Sequence, residues 1–216
     1  MVIGISGMIS TGKSTLVESL KNTYPTSLHL VEFEEDDEVF NTFLRWFYEK
    51  KENLTIGFQS YIVENHSSKF EKILSIFENE HLDPKKDFIF LDRFSVEHYI
   101  FAHVNLQSKA PYYLEAYDAM FDVIIRGNEI PDHAIFLDCS FEVFKQRLFS
   151  RGRDVEINNW EKNKNYFEIL HAVYKPLFIK LCTKYNIPYT IIETDKLSAD
   201  QTLAKAKEIL ENLKRS

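Results

Sequence analysis

The sequence predicts an α/β fold built on a doubly wound, five-stranded parallel sheet flanked by helices. Two observations carry that expectation. Short runs rich in β-branched and aromatic residues alternate with longer amphipathic stretches, the pattern of a parallel sheet covered on both faces. The third such run, Asp87-Phe88-Ile89-Phe90-Leu91-Asp92, is almost continuously apolar, as a strand buried on both sides must be.

In chain order, strands are expected over residues 2 to 6, 28 to 33, 87 to 92, 133 to 138 and 188 to 193. The first, Val2 to Ser6, has no positively charged region before it and only a short apolar run, so it reads as a strand rather than a signal peptide. Helical periodicity begins at Lys13, covers residues 37 to 49 and 57 to 80, and resumes over 94 to 127 with interruptions. It returns at 141 to 150, 161 to 185 and 198 to 214, with Pro111, Pro131, Pro176 and Pro188 as punctuation. The last helix carries Leu203, Ala206, Leu210 and Leu213 on one stripe, a surface helix packed on a core. No linker, repeat or low-complexity segment divides the 216 residues, so one domain over residues 1–216 is expected.

Composition narrows the class of protein. Apolar residues are 44% of the chain, aromatic residues 14% and charged residues 27%, which excludes global disorder. A net charge of −7 leaves no basic face to release counterions, so long nucleic acid is not an expected partner. No apolar stretch reaches the length of a membrane span, and no membrane partner is expected. Cys139 and Cys182 lack a CxxC spacing and stand in apolar settings, which suggests free thiols and a cytoplasmic location.

The strongest motif is Gly7-Met8-Ile9-Ser10-Thr11-Gly12-Lys13-Ser14, followed by Thr15. It matches G-x-x-x-x-G-K-[ST] and lies between a strand and a helix, where backbone N–H groups and the helix N-terminus cradle a polyphosphate. This context specifies the P-loop NTPase fold. Lys13 is expected to reach the β- and γ-phosphates of ATP or another nucleoside triphosphate, and Ser14 to hold Mg²⁺. Asp92-Arg93 ends the strand expected beside the first, where ligands gather in doubly wound sheets. Asp92 suits the Mg²⁺ water shell, and Arg93 suits either phosphoryl charge or a neighbouring carboxylate. Arg147, Arg151 and Arg153 form an arginine-rich lid over about residues 147–158, hinged at Gly152, that can stabilise transferring phosphoryl charge. Glu32 stands where the second strand ends, across the crevice from the phosphate loop, and suits a general base; Glu34 or Glu35 are the alternatives.

With these residues in place, the chain resembles the deoxynucleoside kinase family, in particular its small bacterial deoxyadenosine and deoxyguanosine kinase-like members. Five ordered blocks carry the resemblance over residues 1 to about 168. They are the phosphate loop, Tyr48-Glu49-Lys50 with Phe58-Gln59-Ser60-Tyr61, Asp92-Arg93 with Tyr99-Ile100-Phe101, Arg147-x-x-x-Arg151-Gly152-Arg153, and Trp160-Glu161. The resemblance implies that Gln59 reads the base edge, Phe101 stacks on the base, and Tyr48 with Glu161 bind the sugar 3′-hydroxyl. It places the catalytic base at Glu32, although the family's Glu-Pro-Val is here Glu32-Phe33-Glu34. It further implies a deoxynucleoside acceptor, purine favoured, and a homodimer. Two positions depart from the family. His66 stands where an arginine often follows the glutamine, and His98 where an aspartate follows Asp-Arg, with Glu97 as an alternative carboxylate.

A nucleoside monophosphate kinase, thymidylate kinase for example, shares the sheet, loop and lid. Its acceptor phosphate needs a cationic clamp near the second strand, where this chain has an acidic run over residues 32 to 38 and only Arg45 nearby. A non-catalytic nucleotide-binding module is the rival of another class, and would leave the lid arginines, Tyr48 and Glu161 without a joint purpose.

Overall fold

The computed structural model describes residues 1–31, 37–125 and 129–215. Five strands form one parallel sheet: β1 (Val2–Gly7), β2 (Leu28–Leu30), β3 (Ile89–Asp92), β4 (His133–Asp138) and β5 (Tyr189–Glu193), in the order β2-β3-β1-β4-β5. The helices are α1 (Lys13–Thr23), α2 (Glu38–Tyr48), α3 (Thr55–Asn79), α4 (Ser95–Leu106), α5 (Pro111–Ile124), α6 (Phe141–Arg151), α7 (Asp154–Ile157), α8 (Trp160–Lys184) and α9 (Ala199–Arg215). The expected α/β sheet is present strand for strand.

Two-residue alternation in the strands divides the core into two layers. Ile3, Ile5, Phe88, Phe90, Ile135, Leu137 and Ile192 face α1 and α9, meeting Leu16, Leu20, Ala206 and Leu210. Ile89, Leu91, Ala134 and Phe136 face the opposite side, among Phe94, Phe167, Tyr174 and Phe178 of the α4 and α8 layer. Close approach at the sheet centre requires Gly4, where an added Cβ would lie 2.5 Å from Phe94 Cδ1.

The helical stretch expected over 94 to 127 resolves into α4 and α5, with Pro111 at the start of the second, where its missing N–H costs nothing. Pro176 does not punctuate as the sequence suggested. α8 runs on through it, because Tyr174 and Phe178 on either side are buried in the core and hold the helix by packing. Asp37 caps α2, accepting from the Phe40 N–H at 2.8 Å, so this one acid of the run does serve the following helix. Glu32, Glu34 and Glu35 lie outside the described residues. Tyr117 and Phe121 of α5 are buried inside the chain with Val63, Ala102 and Leu106.

Candidate active site

The phosphate loop needs backbone that only some residues adopt cheaply. Gly7 has φ 140°, Ser10 61° and Gly12 96°, and a Cβ on Gly7 would meet the Leu137 carbonyl oxygen at 2.5 Å. The turn is closed internally, since the Thr11 hydroxyl and the Lys13 ammonium each donate to the Met8 carbonyl at 2.9 Å. Gly12 then opens α1, with Leu16 N–H bonded to its carbonyl at 2.9 Å. The strand register brings Asp92 opposite Ile5, and its carboxylate accepts from the Ser14 hydroxyl at 2.5 Å. The two residues expected to hold Mg²⁺ are thus in contact, Ser14 in the first turn of α1 and Asp92 at the end of β3.

Arg93 follows with φ 69°, a left-handed conformation that costs a β-substituted residue about 1–2 kcal/mol. The turn aims its guanidinium under the phosphate loop rather than into solvent. It is 2% exposed and donates to the Gly7 carbonyl at 3.0 Å, to Glu97 Oε1 at 2.7 Å and to the Tyr174 hydroxyl. Glu97 Oε1 also accepts from the Gly7 N–H at 3.1 Å and from the Tyr174 hydroxyl. Burial raises the Glu97 carboxyl above its ordinary range, and the Arg93 and Lys13 cations oppose that rise. The sequence offered Glu97 as a carboxylate for the base site. Its i, i+4 spacing from Arg93 on the first turn of α4 puts it under the phosphate loop instead. Phe101 lies against the Arg93 guanidinium, 4.7 Å from ring centroid to Cζ, and lines the cleft.

The lid arginines are held in two places. Arg147 reaches the end of β5, donating to the Thr194 hydroxyl at 2.9 Å and carbonyl at 2.8 Å, and to the Thr11 carbonyl at 3.3 Å. Past Gly152, whose φ of 76° ends α6, the chain turns into α7 and buries Glu156. Glu156 is ion-paired with Arg151 and, at 3.5 Å, with Arg153. It also accepts from the Tyr48 hydroxyl at 3.4 Å, and burial pushes that phenol well above its usual range.

Glu161, expected beside Tyr48, is instead exposed on the first turn of α8 and takes no part in the cleft wall. The short helix α7 rotates the chain so that the acid three residues after Arg153 faces inward, and the one eight residues after faces out. Arg-Gly-Arg followed at helical spacing by Glu was the signal available in the sequence.

A single cleft of about 760 Å³ joins these parts. The phosphate loop from Ile9 to Leu16, Asp92, Arg147, Arg151 and Arg153 line one end, with Thr194, Leu197 and Thr202 beside them. The other end lies between α2, α3 and α4, lined by Tyr48, Phe58, Gln59, Ile62, His98, Phe101 and Asn105, with Tyr166 of α8. Met8, Gly7 and His66 stand behind the wall. His66 packs edge-on against His98, ring centroids 5.0 Å apart at 68°, and both are 2% exposed. Burial, with Arg93 nearby, pushes His98 down to about 3. Burial first and then His98 hold His66 well below the ordinary histidine range, so both rings are neutral near pH 7. Asn105 and Tyr166, hydrogen-bonded to each other, were not singled out from sequence because neither belongs to a motif.

A phosphate loop, an Asp-Arg strand end and a cluster of arginines around one cleft are common to several kinases, and family comparison separates them. The deoxynucleoside kinase model matches residues 3–215. The chain belongs to the deoxynucleoside kinase family. As a deoxynucleoside kinase it is a phosphotransferase acting on deoxynucleosides, as the sequence resemblance implied. An uncharacterized protein of Mycoplasma pneumoniae is 31% identical over 214 residues, which cover 97% of this chain and 88% of that one. Deoxyadenosine kinase from M. mycoides with bound dCTP superposes with TM-score 0.76 at 19% identity, covering 98% of this chain and 100% of the other. The same enzyme with bound dATP gives 0.73 at 20% identity, with coverage of 98% and 99%. At such identities these structures show that the deoxynucleoside kinase fold is shared.

Proposed function

We propose that the chain transfers the γ-phosphate of ATP to the 5′-hydroxyl of a deoxynucleoside, with a purine base favoured. The observation that carries this reading is the continuity of the cleft. One end is lined by phosphate-binding groups, and the other by aromatic and neutral polar side chains of a size and chemistry suited to a nucleoside. The solved M. mycoides neighbour named for deoxyadenosine supports the purine preference.

In this reading Gln59 meets the base edge and Phe101 covers one face of the base, while Tyr48 and Glu156 bind the 3′-hydroxyl. Glu156, rather than Glu161, takes the sugar role because it is the acid in contact with Tyr48. Glu32 accepts the 5′-hydroxyl proton as that oxygen attacks the γ-phosphorus and ADP leaves. The assignment is supported by chain position, since β2 ends at Leu30 on the edge of the sheet that carries Asp92. The phosphate loop from Gly7 to Thr15 binds the triphosphate, with Lys13 on its β- and γ-oxygens. Arg151 and Arg153 meet the charge that spreads over the transferring group, and Arg147 fixes the lid to the donor side. Arg93, neutralised by Glu97, sets the loop and the acceptor pocket at a fixed separation.

Mg²⁺ fits the Ser14 and Asp92 pair, because it takes one or two protein oxygens and completes its shell from water and phosphates. Bound there, it supplies charge neutralisation on the phosphate oxygens. The monophosphate kinase reading lacks support in the pocket. Arg45 is exposed and outside the cleft wall, and Arg93 is occupied by Glu97. Family membership also supports a cytoplasmic homodimer, which light scattering on the purified chain tests.

Incubation with ATP and Mg²⁺ over the four deoxynucleosides and dTMP, following ADP and the nucleotide product by chromatography, is the decisive assay. Purine deoxynucleosides should turn over best. ATP turnover that only dTMP accelerates, or that nothing accelerates, overturns the proposal.

A further inference from the structure

The base end of the cleft carries an unusual set of polar groups. α3 supplies Gln59, and α4 presents His98, Phe101 and Asn105 at spacings of three and four residues. Tyr166 of α8, bonded to Asn105, completes the polar lining. None of these polar groups has a fixed hydrogen-bond sense. An amide exchanges donor and acceptor by a flip, a hydroxyl both gives and takes, and a neutral imidazole swaps its roles by changing tautomer.

The histidines add a second observation. Nδ1 and Nε2 of His66 and Nε2 of His98 are sealed from solvent and have no hydrogen-bond partner. A buried polar atom left so costs about 1–3 kcal/mol, which a fold does not bear in its interior without use. The His98 ring lines the wall that Gln59 and Phe101 share, and His66 stands behind it in contact with His98. Both rings being neutral, no charge behind His98 favours one tautomer; the nearby Arg93 cation is matched by Glu97 at 2.7 Å.

We propose, resting on the kinase reading above, that His98 backed by His66 makes the base pocket indifferent to hydrogen-bond polarity. Deoxyadenosine, which presents an amino donor and a ring acceptor, and deoxyinosine, which presents an oxo acceptor and a ring donor, are then both good substrates. A site whose polar groups are fixed for one pattern rejects the other by about 10⁴–10⁵, because groups on both sides are left unpaired. Here the two kcat/KM values stay within about tenfold, a difference near 1.4 kcal/mol.

The test measures kcat/KM for deoxyadenosine and deoxyinosine on the wild-type chain and on His98→Asp and His98→Asn. The wild-type ratio should lie within about tenfold. His98→Asp fixes an acceptor at the wall and should move the ratio away from the wild-type value by roughly 10² or more. His98→Asn keeps an exchangeable group and should keep the wild-type ratio. A wild-type preference of roughly 100-fold for either nucleoside, or a ratio unmoved by the aspartate, overturns the inference while leaving the kinase reading intact. The wild-type ratio decides the matter even where a variant fails to fold. Phosphorylation of neither nucleoside sinks the kinase reading itself, and this inference with it.

Discussion

Acidification should unfold this protein through His66 and His98. A histidine whose folded pKa is depressed binds protons better when unfolded, so its stability contribution is complete above the unfolded value near 6.5 and is lost as pH falls below it. For His98, held at about 3, that loss continues through the whole window from 6.5 down to 3. One pKa unit corresponds to about 1.4 kcal/mol, so lowering the pH from 7.5 to 5.5 removes about 1.4 kcal/mol through His98 alone. His66 is shifted in the same direction and can add at most about as much. The assay is urea unfolding at both pH values for the wild type and for His66→Asn/His98→Asn. With a slope of about 2 kcal/mol/M, the wild-type midpoint should fall by roughly 0.7–1.4 M more than that of the variant. The comparison isolates the pair, because His29 and His133, also lowered by burial, titrate in both proteins. Equal losses in wild type and variant would show that these two rings are not held neutral by burial.

Other perturbations test the same geometry. Glu156→Gln loosens Arg151 and Arg153 and weakens the partner of Tyr48, so kcat/KM should fall by about 10²–10³. In the same variant, discrimination between a deoxynucleoside and its 3′-deoxy analogue should shrink, read in competition assays. Glu161→Gln, at an exposed position, should leave kcat/KM within about twofold. Glu97→Ala strands the buried Arg93 cation, and denaturant titration should show a loss of about 3–5 kcal/mol. Gly4→Ala drives a methyl into the Phe94 ring and should cost about 1–3 kcal/mol by the same measurement.

The sheet was legible because its signals are local. Strands buried on both faces read as apolar runs, and the phosphate loop carries its own backbone requirement in Gly7 and Gly12. The contact of Ser14 with Asp92 was legible for a related reason, since parallel strands put both of their C-terminal ends on one edge and so bring the start of α1 to the end of β3. Pro176 shows the limit of such reading. Its punctuation is a local tendency, and the burial of Tyr174 and Phe178 outweighs it.

The order of residues was enough to fix the sheet, the phosphate-loop end of the cleft and, through the spacing of its motifs, the kinase family. Which acid meets Tyr48 became visible in the folded chain alone, because a rotation of a few residues in α7 exchanges Glu156 for Glu161 and no periodicity fixes that turn. The folded chain also decided that Glu97 serves Arg93 under the loop, and that His66 and His98 face each other, sealed and neutral. The reason is physical. A side chain's charge state and partners depend on desolvation and on groups brought together across the fold, such as the Tyr174 hydroxyl that reaches Glu97 from α8.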